Sequence, residues 1–261
     1  MASLVLVLVA VVAVLLISFV FSMFGLGGAV LYTPILFLLG FAALTAISTS
    51  LTVNLLAVLS ATAVYYRQGL VDVRLAAWFI PGVCAGALAG GAATEFIDPA
   101  LLMWTFAAFL VAMGLRLLLS ERRDVPGHDA CTLSPTPRQV VAIVAVSVLV
   151  GVLSGLIGIG GGIMIAPFLI FLCDQPVKGT AGTTAFIVIF SSLFGVLGHS
   201  AVHTIDLWLV VPTGVAALVG AQVGARRMVR TGSASVMKGF GAVMWVFAAV
   251  LVLKLLGLME M

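Results

Sequence analysis

Charge is what this 261-residue chain has least of: Asp, Glu, Lys and Arg make up 8% of it, and none lies in the middle of a long apolar segment. That excludes a buried carboxylate relay and a fixed cationic anchor. Paired carboxylates, an HExxH helix and a Ser/His pair at a plausible depth are all missing, so the chain reads as no enzyme, with no catalytic residues. Cys84, Cys131 and Cys173 stand far apart without a CxxC spacing, which speaks against a zinc site and a disulfide framework. No metal and no cofactor is therefore expected. Twelve Lys and Arg against nine acids leave a net charge of only +3, and they sit at segment edges, so no nucleic-acid partner is implied. The N-terminus has no basic n-region and an apolar run longer than an h-region, so it is read as mature structure rather than a cleaved signal.

What the chain has instead is apolar length, with 63% of its residues hydrophobic. No water-soluble domain could hide that much apolar surface, so the lipid bilayer is its expected partner. Segments near 3–23, 43–66, 75–94, 99–119, 139–157, 179–198, 207–225 and 239–258 each approach the ~20 residues that cross a hydrocarbon core. They do not alternate in polarity, which excludes a barrel and leaves helices.

Residues 24–36, FGLGGAVLYTPIL, recur 133 positions later as IGIGGGIMIAPFL at 157–169. The likeness continues collinearly. Ala46-Ile-Ser-Thr-Ser50 answers Ala181-Gly-Thr-Thr-Ala185, Gly69–Asp72 answers His203–Asp206, and Gly86–Gly90 answers Gly220–Gly224. Met103–Ala108 likewise answers Met244–Ala249. The predicted fold is an all-α polytopic membrane protein of two homologous repeats, 1–119 and 139–261, joined by a polar linker at 120–138. Each repeat carries a GxGG-broken helix and a short half-helix, giving eight long transmembrane segments plus two short ones.

Basic residues set the orientation of the repeats. If only the eight long segments cross, Arg226 to Lys238 is forced to the side opposite Arg67. Counting the short pieces 29–40 and 163–173 as passes puts all the basic clusters, including Arg116, Arg122 and Arg123, in the cytoplasm. Each repeat then has an odd number of passes and the two are inverted. A 12-residue helix rises only ~18 Å, so these pieces cross with the help of neighbouring coil or dip into a protein-lined cavity.

Gly25, Gly27 and Gly28, and Gly158, Gly160, Gly161 and Gly162, predict non-helical backbone at membrane depth. Freed backbone groups are tolerated where they line a cavity, and the helix that follows offers unpaired N–H groups to an anion. Two such N-termini meeting near the midplane would make a compact anion site. Gly82, Gly86 and Gly90, with Gly220 and Gly224, fit the plainer role of close helix packing. Neither break carries a nucleotide-binding Lys-Ser/Thr signature.

The paired GxGG elements, the following proline (Pro34, Pro167) and the later A-x-[ST]-[TS] helix starts resemble the TauE/SafE family of sulfite and organosulfonate exporters. The resemblance runs from about residue 10 to 258 and implies outward movement of a small sulfur-containing anion, such as sulfite or sulfoacetate. It also implies a multi-pass protein of the bacterial inner membrane. Ala29 stands where the second element has Gly162, a departure that bears on the symmetry of the two binding halves.

Hydroxyl and amide side chains complete the candidate substrate site: Thr49, Ser50 and Asn54 in the first half, Thr183 and Thr184 in the second. Ser191 and Ser192 lie deeper. Such hydroxyls bind sulfonate oxygens without adding charge, and equally bond a carbonyl one turn back. Asp72, His199 and Asp206 are candidates for gating or coupling, with helix N-termini the competing role for both acids and an interfacial position for the histidine. A homo-oligomer is left open. The contrasting class is a membrane scaffold or assembly factor whose glycines serve only helix packing.

Overall fold

A computed structural model of the chain describes residues 4–41, 43–93, 137–173, 175–200 and 207–230. They form eight helices: α1 (Leu4–Ser22), α2 (Ala29–Leu38), α3 (Ala43–Arg67), α4 (Val73–Ala93), α5 (Pro137–Ile157), α6 (Gly162–Leu172), α7 (Val177–Ser200) and α8 (Leu207–Arg230). No strand occurs among the described residues. All but α2 and α6 are long and apolar enough to cross a membrane, which makes six candidate spans. The segments expected at 99–119 and 239–258, and most of the 120–138 linker, lie outside the described residues.

The two short helices begin where the glycine breaks end and hold 10 and 11 residues. Each carries its proline, Pro34 or Pro167, at the sixth position. At about 1.5 Å per residue they rise roughly half the thickness of a hydrocarbon core, too little to cross it as helices alone. α1 and α2 form an antiparallel hairpin: Ser18 and Tyr32 share a 2.5 Å hydrogen bond, and Ala10 joins Leu36, Ala46 and Leu209 in one apolar cluster. α2 therefore returns toward the end from which α1 set out.

Small residues fix the remaining helix pairs. Gly220 and Gly224 of α8 lie on the α1 backbone at Leu15 and Phe19, so these helices run the same way. α4 and α5 are likewise parallel, with Gly82 against Ser147, Gly86 against Val148 and Gly151, and Gly155 against Ala87 and Gly91. A side chain at any of these glycines would meet a facing backbone or, at Gly82, the Ser147 side chain; this is the close-packing role expected of Gly82, Gly86, Gly220 and Gly224. α3 runs with α8, Ser60 Oγ donating to Leu218 O at 2.9 Å, and against α7, where Leu51 meets Gly195. The outward faces of α1, α5 and α8 expose Leu8, Val12, Val141, Val211 and Val215, apolar surface that suits a lipid solvent.

Candidate functional site

Both glycine breaks are built from left-handed backbone. Gly25 and Gly27 have φ of 71° and 82°, and Gly158, Gly160 and Gly161 have φ of 75°, 77° and 76°. A side chain in that region costs about 1–2 kcal/mol per residue, which is why the turn is written in glycine. Space makes the same demand. A methyl group on Gly27 or on Gly160 would overlap the carboxamide of Asn54, so one side chain from the middle of α3 is enclosed by the two breaks.

Asn54 is fully buried and uses both ends of its amide. Gly28 N–H and Ala29 N–H donate to Oδ1 at 2.8 and 3.0 Å, and Nδ2 donates to Ser192 Oγ of α7 at 2.9 Å. The two backbone donors fix which end is oxygen, and they leave the second Nδ2 hydrogen beside Gly160. The sequence predicts two open helix N-termini. The structure differs: Asn54 Oδ1 caps α2, whereas α6 has Gly161 at its N-cap and no side-chain cap. A neutral carboxamide thus stands where an anion was expected at the first break. At the second, the Leu26 backbone approaches within 2.9 Å of where a Gly162 methyl would sit and covers the end of α6.

Each break also seats on the opposite half. Gly25 packs on the Ala181 carbonyl at the start of α7, and Gly158 packs on Ile47 at the start of α3. Ser50 Oγ donates to Ala29 O at 3.1 Å and lies 3.4 Å from Gly158 O, touching both breaks. The structure therefore gathers Gly27, Gly28, Ser50, Asn54 and Gly160 around one point, with Gly161 and Gly162 adjoining through Ser191 and Leu26.

The threonines are distributed differently. Thr49 is fully buried without a hydrogen-bond partner, and helical register puts it on the face of α3 that carries Leu56 and Ser60 toward α8. Thr184 is buried and unpartnered too, on the face of α7 that carries Ser191, whose Oγ shares a 2.8 Å bond with Ser154. Thr183 Oγ1 accepts the N–H of Asp72 at 3.0 Å.

Asp72 is half-buried and caps α4. Its Oδ1 accepts Leu75 N–H at 2.9 Å, and Oδ2 accepts Gln175 Nε2 at 3.1 Å, tying the α3–α4 turn to the α6–α7 connection. His199 is buried near the end of α7, with Nε2 2.8 Å from Gly155 O. Asp206 lies outside the described residues. Ser192 joins the site through its bond from Asn54, although Thr184 is the stronger candidate by sequence; eight residues beyond Thr184 it stands about 80° round the helix. Gln175 and Ser154 carried no signal beyond polarity. Beside the first break, a hollow lined by Phe24, Ala166, Ile170, Val177, Ala181 and Met228 is apolar except for Thr180, whose hydroxyl donates to Gln175 O at 3.4 Å. Among the described residues no group of three His, Cys, Asp or Glu could hold a metal.

The family model described as Sulfite exporter TauE/SafE matches residues 10–252. The Bacillus subtilis protein named Probable membrane transporter protein YdhB is 28% identical over 222 residues, 83% of this chain and 88% of its own. A second from the same organism, Probable membrane transporter protein YunE, is 29% identical over 197 residues, covering 68% and 72%. Sulfite exporter TauE/SafE family protein 2 of Arabidopsis thaliana is 33% identical over 124 residues, 46% of this chain and 26% of its own. No solved structure matches the chain.

Proposed function

Because the chain belongs to the Sulfite exporter TauE/SafE family, and its two Bacillus subtilis relatives are named probable membrane transporter proteins, we propose that it is not an enzyme but a secondary transporter for a small sulfur-containing anion. Sulfite, sulfoacetate or a related organosulfonate is exported across the inner membrane by alternating access. The observation that carries this reading is the convergence of both glycine breaks on the buried carboxamide of Asn54.

The anion sits between the breaks. Its donors are the N–H groups at the start of α6, the second Nδ2 hydrogen of Asn54 and the hydroxyl of Ser192, with Thr183 and Thr184 along the same helix; Ser50 joins them when its hydrogen leaves Ala29 O. Together they hold an oxyanion through dipoles and hydroxyls, with no buried cation whose release would be costly. The Leu26 backbone must withdraw from Gly162 to admit it, which is the local motion that alternating access requires. The halves 1–119 and 139–261 rock against each other as inverted repeats. Supporting the inversion, α1 runs with α8 and α4 runs with α5, so each opening helix parallels the fourth helix of the other half.

The test is flux in proteoliposomes of sulfite, sulfoacetate, taurine and sulfate, with and without a proton gradient, for the parent and Gly161→Leu. The reading expects transport of at least one of the sulfur anions and its loss in a folded Gly161→Leu protein. Failure of the parent to move any of them would overturn it.

A further inference from the structure

The helices that lead into the two breaks end in the same way, with different residues. Tyr65, fully buried two residues before the end of α3, donates its phenol hydrogen to Ser22 O at 2.5 Å, with Met23 O at 3.1 Å. His199, buried one residue before the end of α7, has Nε2 2.8 Å from Gly155 O. Ser22 stands three positions before Gly25, the first glycine of its break, and Gly155 stands three before Gly158. Tyr65 follows Gly25 by 40 positions and His199 follows Gly158 by 41.

A helix that stops at membrane depth leaves its last carbonyls without intrahelical partners, and lipid supplies none. At the first break the turn itself supplies one donor, Gly25 N–H to Ser22 O at 3.1 Å, so Tyr65 is a second donor to that oxygen. A donor that reaches such a carbonyl from a neighbouring helix should carry no obligatory charge. A phenol does this through its only hydrogen. A carbonyl oxygen only accepts, so the imidazole does it by carrying hydrogen on Nε2.

We propose that Tyr65 and His199 are paired positioning residues: each clamps the carbonyl end of the helix entering a glycine break and so sets the position at which that break meets the substrate. The proposal rests on the transport reading above for its functional consequence, but the clamp itself is a matter of hydrogen position. His199 then acts as a fixed donor rather than as a proton carrier. Sequence comparison by residue type cannot pair a tyrosine with a histidine, which is why the repeat hides this correspondence.

The test has two arms. In protein labelled with ¹⁵N-histidine, the imidazole shifts of His199, assigned by comparison with His199→Gln, report which nitrogen bears hydrogen. Hydrogen on Nε2 is the expected result; a neutral ring with hydrogen on Nδ1 alone would overturn the clamp, whether or not any variant folds. In reconstituted flux, His199→Leu and Tyr65→Phe should each lower the maximal rate about tenfold, the scale of one lost hydrogen bond, while His199→Gln, which retains an N–H donor, stays within about twofold. Equal rates for His199→Leu and His199→Gln would overturn the positioning role. If the parent transports nothing, the transport reading falls while the tautomer still decides the clamp.

Discussion

Asn54 and Ser192, 138 positions apart and both fully buried, are joined by a 2.9 Å hydrogen bond from Nδ2 to Oγ. The same amide holds Gly28 and Ala29 through Oδ1, so the start of α2 and the middle of α7 are fastened to α3 by one side chain. Asn54→Leu keeps the volume and removes every one of these partners. Each buried group left unsatisfied costs about 1–3 kcal/mol, so the variant should lose at least about 2 kcal/mol of stability, read as a lower Tm in detergent. An Asn54→Leu variant as stable as the parent would mean that the amide is not holding the breaks.

Gly27 and Gly40 share a left-handed backbone, φ 82° and 87°, but not a neighbourhood. A methyl on Gly40 meets nothing within 4 Å, whereas one on Gly27 would overlap Asn54. Gly40→Ala should cost only the backbone strain, about 1–2 kcal/mol. Gly27→Ala should cost that and the displacement of Asn54 from its partners, roughly twice as much or more. Thermal unfolding of the two variants side by side measures the difference. Matching losses would show that Asn54 yields without cost.

Helices α1 to α8 were legible because their signals are local: apolar length for the six spans, clustered glycine for the starts of α2 and α6. The small-residue contacts of Gly82, Gly86, Gly90, Gly220 and Gly224 were legible for the same reason. The inward face of α3 was not. That helix carries polar side chains on several sides, Thr45, Ser48, Thr49, Ser50, Thr52 and Asn54 among them, so nothing in the sequence says that Asn54 and Ser50 turn toward the breaks while Thr49 turns toward α8. The cap on α2 was hidden because its acceptor lies 26 positions away, and a lone Asn in an apolar run reads equally as ligand or as brace.

The ends of α3 and α8 lie together, since Ser60 bonds Leu218 and Leu56 packs on Gly214 with the chains running the same way. Gln68 and Arg230 therefore occupy one face of the protein, and the α2–α3 connection near Leu39 occupies the other. With the native cysteines replaced, a membrane-impermeant maleimide should label Gln68→Cys and Arg230→Cys from the same side and Leu39→Cys from the opposite one. This also puts Arg67, Arg74, Arg226 and Arg227 at one end, as the positive-inside rule requires of a cytoplasmic face. Labelling of Gln68→Cys and Arg230→Cys from opposite sides would break the inverted arrangement.

Asp72 separates a structural from a coupling role with a single atom. Its Oδ1 caps α4 at Leu75, its Oδ2 receives Gln175, and its own N–H is held by Thr183. An asparagine retains the capping oxygen and loses the charge, and Gln175 can turn its amide to present oxygen to the new NH₂ group. If Asp72 is a cap, Asp72→Asn should keep gradient-driven flux within about threefold, while Asp72→Ala should lower stability by about 1 kcal/mol, the usual loss for an emptied N-cap. If Asp72 carried a coupling proton, Asp72→Asn would abolish the gradient dependence and leave stability unchanged. The two bonds to a half-buried carboxylate, with a third to its own backbone N–H, favour the cap, because a proton carrier must change partners during the cycle and this side chain is held from both of its oxygens.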